Sequence, residues 1–280
     1  MIIKTESIKN AQLKRVVEHI FYLAIVFVLI PLFFYFELCI VLPAVCDEGT
    51  PAHFVHLVCA TFLLHNIVGN LIYGMCTNTT IKGRILDSHG KNNWTVCTEC
   101  ECRRPPRAWH CSICNICILK RDHHCTFFAC CVGYYNHRYF ILFTFYIFVS
   151  MLYAFYFNVK FLAPFISWNH GLAIVKFVFP LANFVIDFGK DSLYVFLVVI
   201  NVVVGAFTGF LFIYHFNNII KGRIVPEMKH SPKDSQYDKG WKKNLIEVFG
   251  TKWFLTWLSP FIKSSLPGNG IEWHDDEKYK

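Results

Sequence analysis

Charged residues are scarce in this chain of 280 residues, since Asp, Glu, Lys and Arg together make up 16%. Soluble domains carry about 25% charged residues, so an ordinary water-soluble globule is excluded. The sequence also lacks low-complexity linkers and repeats of the solenoid type. Intrinsic disorder is excluded because 55% of the residues are hydrophobic and Phe alone occurs 29 times. The net charge of +8 is therefore not explained by a disordered basic arm that binds nucleic acid.

Long intervals without charge predict membrane spans, because a helix needs about 20 mostly apolar residues to cross a bilayer. Four spans are predicted, near 18–42, 53–75, 138–161 and 193–216. We expect no cleavable signal peptide, because the first apolar run begins late and is too long. A fifth apolar stretch, Leu172 to Phe188, is interrupted by Lys176 and Pro180, so an interfacial or re-entrant helix is expected there.

The distribution of Lys and Arg predicts the orientation of these spans. Of the 27 basic residues, 24 lie in the N-terminal arm, between spans 2 and 3, or in the tail. By the positive-inside rule these three segments are cytosolic, and four spans keep them together. The predicted fold class is therefore an α-helical polytopic membrane protein. Its predicted segments are a cytosolic arm at 1–17, spans 1 and 2 at 18–75, a cytosolic cysteine-rich domain at 76–137, spans 3 and 4 with a lumenal loop at 138–216, and a cytosolic tail at 217–280.

Nine of the thirteen cysteines lie between Cys97 and Cys131. Cytosolic thiols stay reduced, so this density predicts metal binding rather than disulfides. Two CxxC pairs, a further Cys at the same spacing and interleaved histidines supply ligands for two zinc sites. The stretch has more ligands than two such sites can use, so a thiol is left free beside imidazole and carboxylate groups. Such a thiol is a candidate nucleophile, whereas a closed zinc module that only binds partners is the alternative for this segment.

The stretch from Cys97 to Phe140 resembles the cysteine-rich domain of the DHHC protein S-acyltransferases, or palmitoyltransferases. The motifs that carry the resemblance are, in order, CTEC, RPPR, HCSIC, DHHC, CCVG, Asn136 and Phe140. The segment NLIEVFG, from Asn244 to Gly250, is similar to the tail motif of the same family. The resemblance implies a double-zinc cytosolic domain between spans 2 and 3, in agreement with the charge distribution.

The resemblance also implies a role for each motif residue. Cys125 takes the place of the nucleophile, His123 that of the general base, and Asp122 that of the group that holds the base. Glu227 and Asn244 are implied as support for the active site. Two structural zinc ions are implied, one held by Cys97, Cys100, His110 and Cys117, and the other by Cys111, Cys114, His124 and Cys131. Cys102 and Cys130 are not ligand positions in the pattern, and the residues that would bind the donor substrate are not identified.

This chain departs from the family pattern at three places. Thr126-Phe127 follows Cys125 where the family usually has Pro-Trp, and Cys130 stands where Asn is usual. After span 4, Ile224-Val225-Pro226-Glu227 replaces Thr-Thr-x-Glu, so that only the Glu remains. The acid, base and nucleophile are intact, so an active enzyme is expected.

The implied activity moves a long-chain fatty acyl group from acyl-CoA, such as palmitoyl-CoA, through a Cys125 acyl-enzyme to cysteines of membrane-associated proteins. Acyl-CoA, these protein substrates and the lipid bilayer are the expected partners, and nucleic acid is not. The expected location is the ER or Golgi membrane, with a cytosolic active site. The alternative is a catalytically weak zinc-loop membrane adaptor. A metal-regulated transporter is disfavoured, because we expect no span to carry the acidic residues that an ion path needs.

Overall fold

The computed structural model describes residues 2–84, 93–165, 178–186, 189–230 and 235–273. The chain divides into two compact units. Unit 1 consists of Met1–Phe27, Val68–Phe143 and Tyr214–Lys280, and unit 2 of Val28–Ile67 and Thr144–Ile213. All residues of the candidate active site lie in unit 1.

Within the described residues, four helices are long and apolar enough to cross a membrane. They are Asn10–Val45 (span 1), Pro51–Cys76 (span 2), His137–Leu162 (span 3) and Lys190–Ile220 (span 4). The four predicted spans are therefore confirmed. Residues 172–177 and 187–188 of the fifth apolar stretch lie outside the described residues, and a short helix covers Pro180–Ile186.

The helix that contains span 1 changes its winding twice. Its α-helical parts are α1 (Ile2–Ala24), α2 (Ile30–Tyr35) and α3 (Leu42–Val45), and π-helical turns separate them at Ile25–Leu29 and Phe36–Val41. Each π-helical turn ends two residues before a proline, Pro31 or Pro43. Proline lacks an N–H, and its ring clashes with the carbonyl four residues earlier. The wider π-helical turn accommodates that clash without ending the helix.

In unit 2, spans 1, 3 and 4 pack through a core of apolar side chains that includes Phe36, Phe161 and Val198. Glu37 lies beside this core, and its Oε1 accepts a hydrogen bond of 2.9 Å from Nδ2 of Asn158. This half-buried carboxylate is tied to an amide on span 3, which is an interhelical contact.

Unit 1 holds the cysteine-rich domain, which consists of three antiparallel hairpins. Hairpin 1 pairs β1 (Thr95–Cys97) with β2 (Cys102–Arg104), hairpin 2 pairs β3 (Trp109–Cys111) with β4 (Ile116–Ile118), and hairpin 3 pairs β5 (His123–Cys125) with β6 (Cys130–Val132). Each loop has four residues and ends in a left-handed residue: Glu101, Asn115 or Ala129. Strands of three residues are too short to be stable alone, so other interactions must hold the hairpins together.

The tail that follows span 4 packs against the cysteine-rich domain. Two of its described helices are Val225–His230 and Trp241–Phe249. Nε of Arg107, in the domain, donates to Oε1 of Glu227 in the first of these helices at 2.7 Å. Nζ of Lys120 donates to Oε2 of Glu247 in the second helix at 3.1 Å. These contacts place the domain and the tail on one side of the membrane, as four spans require and five would not allow.

Candidate active site

Two groups of Cys and His side chains are arranged as metal ligands. The first group contains Cys97, Cys100, His110 and Cys117, and the second contains Cys111, Cys114, His124 and Cys131. In each group the four ligand atoms lie within 4.8 Å of one another. All thirteen cysteines of the chain are free thiols, so no disulfide competes for these sulfur atoms. The structure thus brings together the two ligand sets that the resemblance implies.

The separations between ligand atoms fit tetrahedral zinc. Bond lengths of about 2.3 Å to sulfur and about 2.05 Å to nitrogen give tetrahedral edges of about 3.8 Å between sulfurs and about 3.6 Å from sulfur to nitrogen. The sulfur atoms of Cys100 and Cys117 are 3.8 Å apart, and those of Cys114 and Cys131 are 3.7 Å apart. The sulfur-to-nitrogen separations are between 3.2 and 3.7 Å. Each group therefore has the donor types and the spacing for one structural zinc ion.

The two groups are the same arrangement repeated along the chain. Each ligand of the second group lies 14 residues after its counterpart in the first. In both groups one hairpin supplies the CxxC pair, and the next hairpin supplies a His and a Cys that face each other across its two strands. The metal groups therefore link hairpin 1 to hairpin 2 and hairpin 2 to hairpin 3.

Cys125 occupies the next position of this 14-residue repeat. It stands at the end of β5 just as Cys97 and Cys111 stand at the ends of β1 and β3. The second cysteine of the pair is missing, because Phe128 takes its place. Among the described residues Cys125 belongs to neither metal group. Hairpin 3 thus has the form of a metal-binding hairpin whose first cysteine is left as a free thiol.

The pleat of β5 separates the roles of adjacent residues. Successive side chains of a strand point to opposite faces, so His124 faces away from His123 and Cys125. Nδ1 of His124 lies 3.6 Å from the sulfur of Cys111, in the second metal group. His123 and Cys125 share the other face. The order His-His-Cys therefore places a metal ligand between two residues that can react together.

The environment of Cys125 disfavours its ionised form, although the turn partly offsets this effect. The residue is buried in unit 1, and burial raises the pKa of its thiol. Hydrogen bonds from the backbone N–H groups of Phe128 and Phe127 lower the pKa in part, and the net result is a pKa of about 12. These N–H groups belong to the 3₁₀ turn Thr126–Phe128. The same backbone contact occurs at the metal-binding hairpin of Cys111, where the N–H of Cys114 donates to the sulfur at 3.4 Å. At neutral pH the Cys125 thiol must give its proton to a base in order to react.

Phe128 anchors the turn that follows Cys125. It is fully buried and packs against Gly74 of span 2. A Cβ atom at residue 74 would lie 2.1 Å from Cε2 of Phe128, so only glycine allows this close approach. The turn therefore keeps a fixed position without the Pro-Trp pair that is usual in the family, since Thr126 and Phe127 continue into a well-packed Phe.

Asp122 holds the imidazole of His123. Nδ1 of His123 donates to Oδ2 of Asp122 at 2.7 Å, which leaves Nε2 as the nitrogen that can accept a proton. Burial alone would raise the pKa of Asp122, but the hydrogen bond from His123 and the close imidazole of His215 hold it well below its usual value. The carboxylate is therefore ionised at neutral pH and can stabilise a protonated His123.

Glu227 supports Asp122 indirectly. Arg107 donates from Nε and Nη2 to its two carboxylate oxygens at 2.7 and 3.0 Å, and the N–H of Ile224 donates to Oε2 at 3.0 Å. This fixes the start of the tail, where the N–H of Val225 donates to Oδ1 of Asp122 at 3.1 Å. Because a backbone group makes that contact, the Ile224-Val225 departure from the family pattern leaves it in place.

Two buried asparagines fix the elements around the site. Nδ2 of Asn244 donates to the backbone oxygen of Ile220 at 2.8 Å, which ties the tail helix to the end of span 4. Nδ2 of Asn136 donates to the backbone oxygens of Gly74 and Cys131 at 3.0 and 2.9 Å. Asn136 thus joins the end of span 2 to a ligand of the second metal group.

The two remaining cysteines of the domain are placed as packing residues. Cys102 pairs with Cys97 across hairpin 1 but lies outside both metal groups of the described chain. The sulfur of Cys130 lies 3.8 Å from the backbone oxygen of Gly74. Burial raises the pKa of the Cys130 thiol above its ordinary value. Within the described residues, neither cysteine belongs to one of the two metal groups.

The structure adds two residues that the sequence reasoning missed, Glu18 and His215. Nε2 of His124 donates to Oε2 of Glu18 at 2.8 Å, while its Nδ1 faces the cysteines of the second metal group. A carboxylate on the outer nitrogen fixes the orientation of a ligand histidine and raises its basicity. Nδ1 of His215 lies 3.0 Å from Oδ2 of Asp122. The available signal was a polar residue near the end of an apolar stretch, with Glu18 near the start of span 1 and His215 near the end of span 4.

Replacing Glu18 with Gln is expected to speed the loss of one of two zinc ions about 10- to 100-fold, because His124 loses its carboxylate partner. Stopped-flow transfer of zinc to a colorimetric chelator measures this rate. Glu37→Gln is the matched control, since that carboxylate contacts Asn158 and should leave zinc release unchanged. Equal release rates for wild type and Glu18→Gln would contradict the role of Glu18.

Comparison with known proteins agrees with this geometry. The family model for DHHC palmitoyltransferase matches residues 90–230. Probable palmitoyltransferase ZDHHC24 of Mus musculus is 32% identical over 228 residues, which cover 80% of this chain and 79% of that protein. The Homo sapiens protein of the same name is 31% identical, with the same coverage. Palmitoyltransferase PFA3 of Debaryomyces hansenii is 31% identical over 60% of this chain and 44% of that protein. The chain therefore belongs to the DHHC palmitoyltransferase family and is a protein S-palmitoyltransferase.

Proposed function

We propose that this enzyme takes a long-chain fatty acyl group from acyl-CoA onto Cys125 and then transfers it to cysteines of membrane-associated proteins. The observation that carries the proposal is the arrangement in β5. Cys125 is a thiol outside both metal groups, on the same face as His123, and Oδ2 of Asp122 accepts a 2.7 Å hydrogen bond from Nδ1 of His123. This is the combination of nucleophile, base and orienting acid that covalent catalysis requires.

The first half-reaction acylates the enzyme. His123 accepts the proton of the Cys125 thiol at Nε2, and the sulfur attacks the carbonyl carbon of the thioester. The carbon–sulfur bond to CoA breaks, and the CoA thiolate takes the proton back from His123. One thioester replaces another, so little free energy is lost and the step is reversible.

The second half-reaction repeats this exchange with a protein thiol. His123 takes the proton of the acceptor cysteine, whose sulfur attacks the acyl carbonyl on Cys125. The Cys125 thiolate leaves and is reprotonated. Asp122 remains ionised throughout and stabilises the imidazolium that forms twice in each cycle.

The metal groups have a structural role in this proposal. Bound zinc would hold the three hairpins together and fix His124, so that its neighbours His123 and Cys125 are positioned. All four ligands of each group come from the protein, so neither group keeps an open position for substrate. The eight Cys and His ligands thus form the frame of the site and do not take part in acyl transfer.

The topology of the proposal follows from charge. The segment between spans 2 and 3, the tail and the N-terminal arm hold 24 of the 27 Lys and Arg residues, which supports a cytosolic active site. The proposed segment boundaries are those given above, with the cysteine-rich domain at 76–137. Acceptors are then proteins that present cysteines at the cytosolic face of an internal membrane, ER or Golgi.

Purified protein in liposomes tests the proposal with radiolabelled palmitoyl-CoA. We expect a protein-bound label that hydroxylamine removes, because a thioester is cleaved by this nucleophile. A cysteine peptide with a lipid anchor should then take up the label in a second step, and the same peptide with Ser in place of Cys should not. A well-folded protein with two zinc ions and no label would instead be the membrane adaptor.

Replacing Asp122 with Asn is expected to lower the rate of Cys125 acylation about 10⁴-fold, because the amide favours the wrong tautomer of His123 and cannot stabilise its charge. Rapid-quench measurement of acyl-enzyme formation at saturating palmitoyl-CoA gives this rate. Zinc content reports whether the domain remains folded. A variant with two zinc ions and an unchanged rate would remove Asp122 from the mechanism.

A further inference from the structure

His215 belongs to span 4 but reaches the catalytic pair from within the membrane helix. It is buried, and its Nδ1 lies 3.0 Å from Oδ2 of Asp122. The same oxygen accepts the 2.7 Å hydrogen bond from Nδ1 of His123. One carboxylate oxygen is thus shared by two imidazole groups, one on β5 and the other on span 4.

The ring of His215 also packs against the ring of His123. Their centroids are 4.8 Å apart, with an angle of 37° between the planes. Phe140 closes the cluster, since its ring meets His123 at 4.7 Å and His215 at 5.0 Å, edge to face in both cases. The base is therefore held at its polar end by Asp122 and on its ring surface by His215 and Phe140.

Within the described part of the chain, a backbone N–H and two imidazole rings lie at the carboxylate oxygens of Asp122. The N–H of Val225 donates to Oδ1 at 3.1 Å, and the two histidines face Oδ2. A buried carboxylate with a donor on each oxygen cannot rotate freely about its Cβ–Cγ bond. Removal of His215 would leave His123 as the one imidazole on Oδ2 and would open space beside its ring.

We propose that His215 is a positioning residue for acyl transfer, which orients Asp122 and the ring of His123 so that Nε2 faces the Cys125 thiol. His215 acts through these two residues and does not touch the reacting atoms. The proposal rests on the proposed function, and it assigns to span 4 a direct part in the geometry of the active site. A metal ion bound by Asp122, His123 and His215, whose ligand atoms also lie within 4.8 Å of one another, is the competing assignment.

Three substitutions separate the contacts of His215. His215→Ala removes both the Nδ1 nitrogen and the ring, His215→Phe keeps a ring without the nitrogen, and His215→Asn keeps a polar amide near the position of Nδ1. We expect His215→Ala and His215→Phe to lower the rate of Cys125 acylation about 10- to 100-fold, with the half-saturating palmitoyl-CoA concentration unchanged. His215→Asn should recover part of the rate. Ile213→Ala is the control, since Ile213 lies on the exposed side of the same helix and its loss should change nothing.

A double substitution distinguishes positioning from general stability. In a His123→Ala background, His215→Ala should cause no further loss, because the group that it positions is already absent. Additive losses would overturn the proposal. So would parallel losses of zinc and of thermal stability in His215→Ala, or a third zinc ion in wild type that disappears in His215→Ala.

A second readout keeps this inference separate from the proposed function. Alkylation of Cys125 by iodoacetamide, followed by mass spectrometry, needs the thiolate but no acyl-CoA. We expect its rate to fall in His215→Ala by a factor similar to that for acylation. If wild type takes up no acyl label but alkylation still depends on His215, the proposed function fails and the positioning role of His215 stands. If the alkylation rate is independent of His215, the positioning role fails.

Discussion

Protein that carries Cys125→Ser is expected to form no hydroxylamine-sensitive acyl-enzyme and to release no CoA, while it keeps two zinc ions per chain. Serine has nearly the same size, so hairpin 3 should fold unchanged. Its hydroxyl is a far weaker acid than a thiol, and His123 cannot generate the nucleophile at neutral pH. Because Cys125 is outside both metal groups, the metal frame does not depend on its sulfur. Acyl labelling and elemental analysis of the same preparation measure both outcomes.

Cys39→Ser is the matched control for this substitution. Cys39 is an exposed thiol in span 1, remote in sequence from the cysteine-rich domain, so labelling should match that of wild type. Label that persists in Cys125→Ser would transfer the role of nucleophile to another cysteine. Loss of zinc from Cys125→Ser would instead make Cys125 a metal ligand.

Replacing Cys111 with Ala is expected to remove at least one zinc ion and, with it, nearly all acylation. Cys111 lies in hairpin 2 and belongs to the same Cys and His group as His124 of hairpin 3. Structural zinc contributes about 10–16 kcal/mol of apparent binding free energy to small zinc domains, and the hairpins have strands of three residues. Side-chain packing alone therefore cannot hold hairpins 2 and 3 together once the second metal group is lost. Loss of the group should therefore release β5 and the residues that it positions.

Elemental analysis and limited proteolysis of Cys111→Ala check this expectation. We expect one zinc ion or none, with new cleavage between the hairpins. Cys102→Ala is the control, since Cys102 lies in the same domain but outside both groups, and it should keep two zinc ions. Retention of two zinc ions in Cys111→Ala would contradict the ligand assignment.

Much of this architecture can be predicted from local patterns. The four spans follow from the length of the apolar stretches. The positions of Lys and Arg predict that the N-terminal arm, the cysteine-rich domain and the tail lie on the same side of the membrane. The roles of His124 and Cys125 follow from strand alternation once a metal site is assumed, because adjacent residues of a strand face opposite ways. The 14-residue offset between Cys97 and Cys111 is also present in the sequence, and it identifies Cys125 as the first cysteine of an incomplete third pair.

Contacts between distant segments could not be predicted from these patterns. Glu18 reaches His124 across 106 positions of the chain, and no spacing rule relates the two. The N–H of Val225 reaches Asp122 through the backbone, so no side-chain type identifies it. His215 resembles any polar residue in a membrane helix until its distance to Asp122 is known. The contact between Glu37 and Asn158 is of the same kind, since the two residues lie on different helices and no local pattern relates them.

The central claim is that Cys125 carries the acyl group, and peptide mapping of the wild-type acyl-enzyme by mass spectrometry tests it most directly. The protein is incubated with palmitoyl-CoA without an acceptor, quenched in acid and digested, and each of the thirteen cysteines is assigned as acylated or free. The account predicts palmitoyl on Cys125, with Cys130 and the six cysteines of the two metal groups unmodified. Palmitoyl on Cys130 or on a ligand cysteine, with Cys125 free, would contradict it.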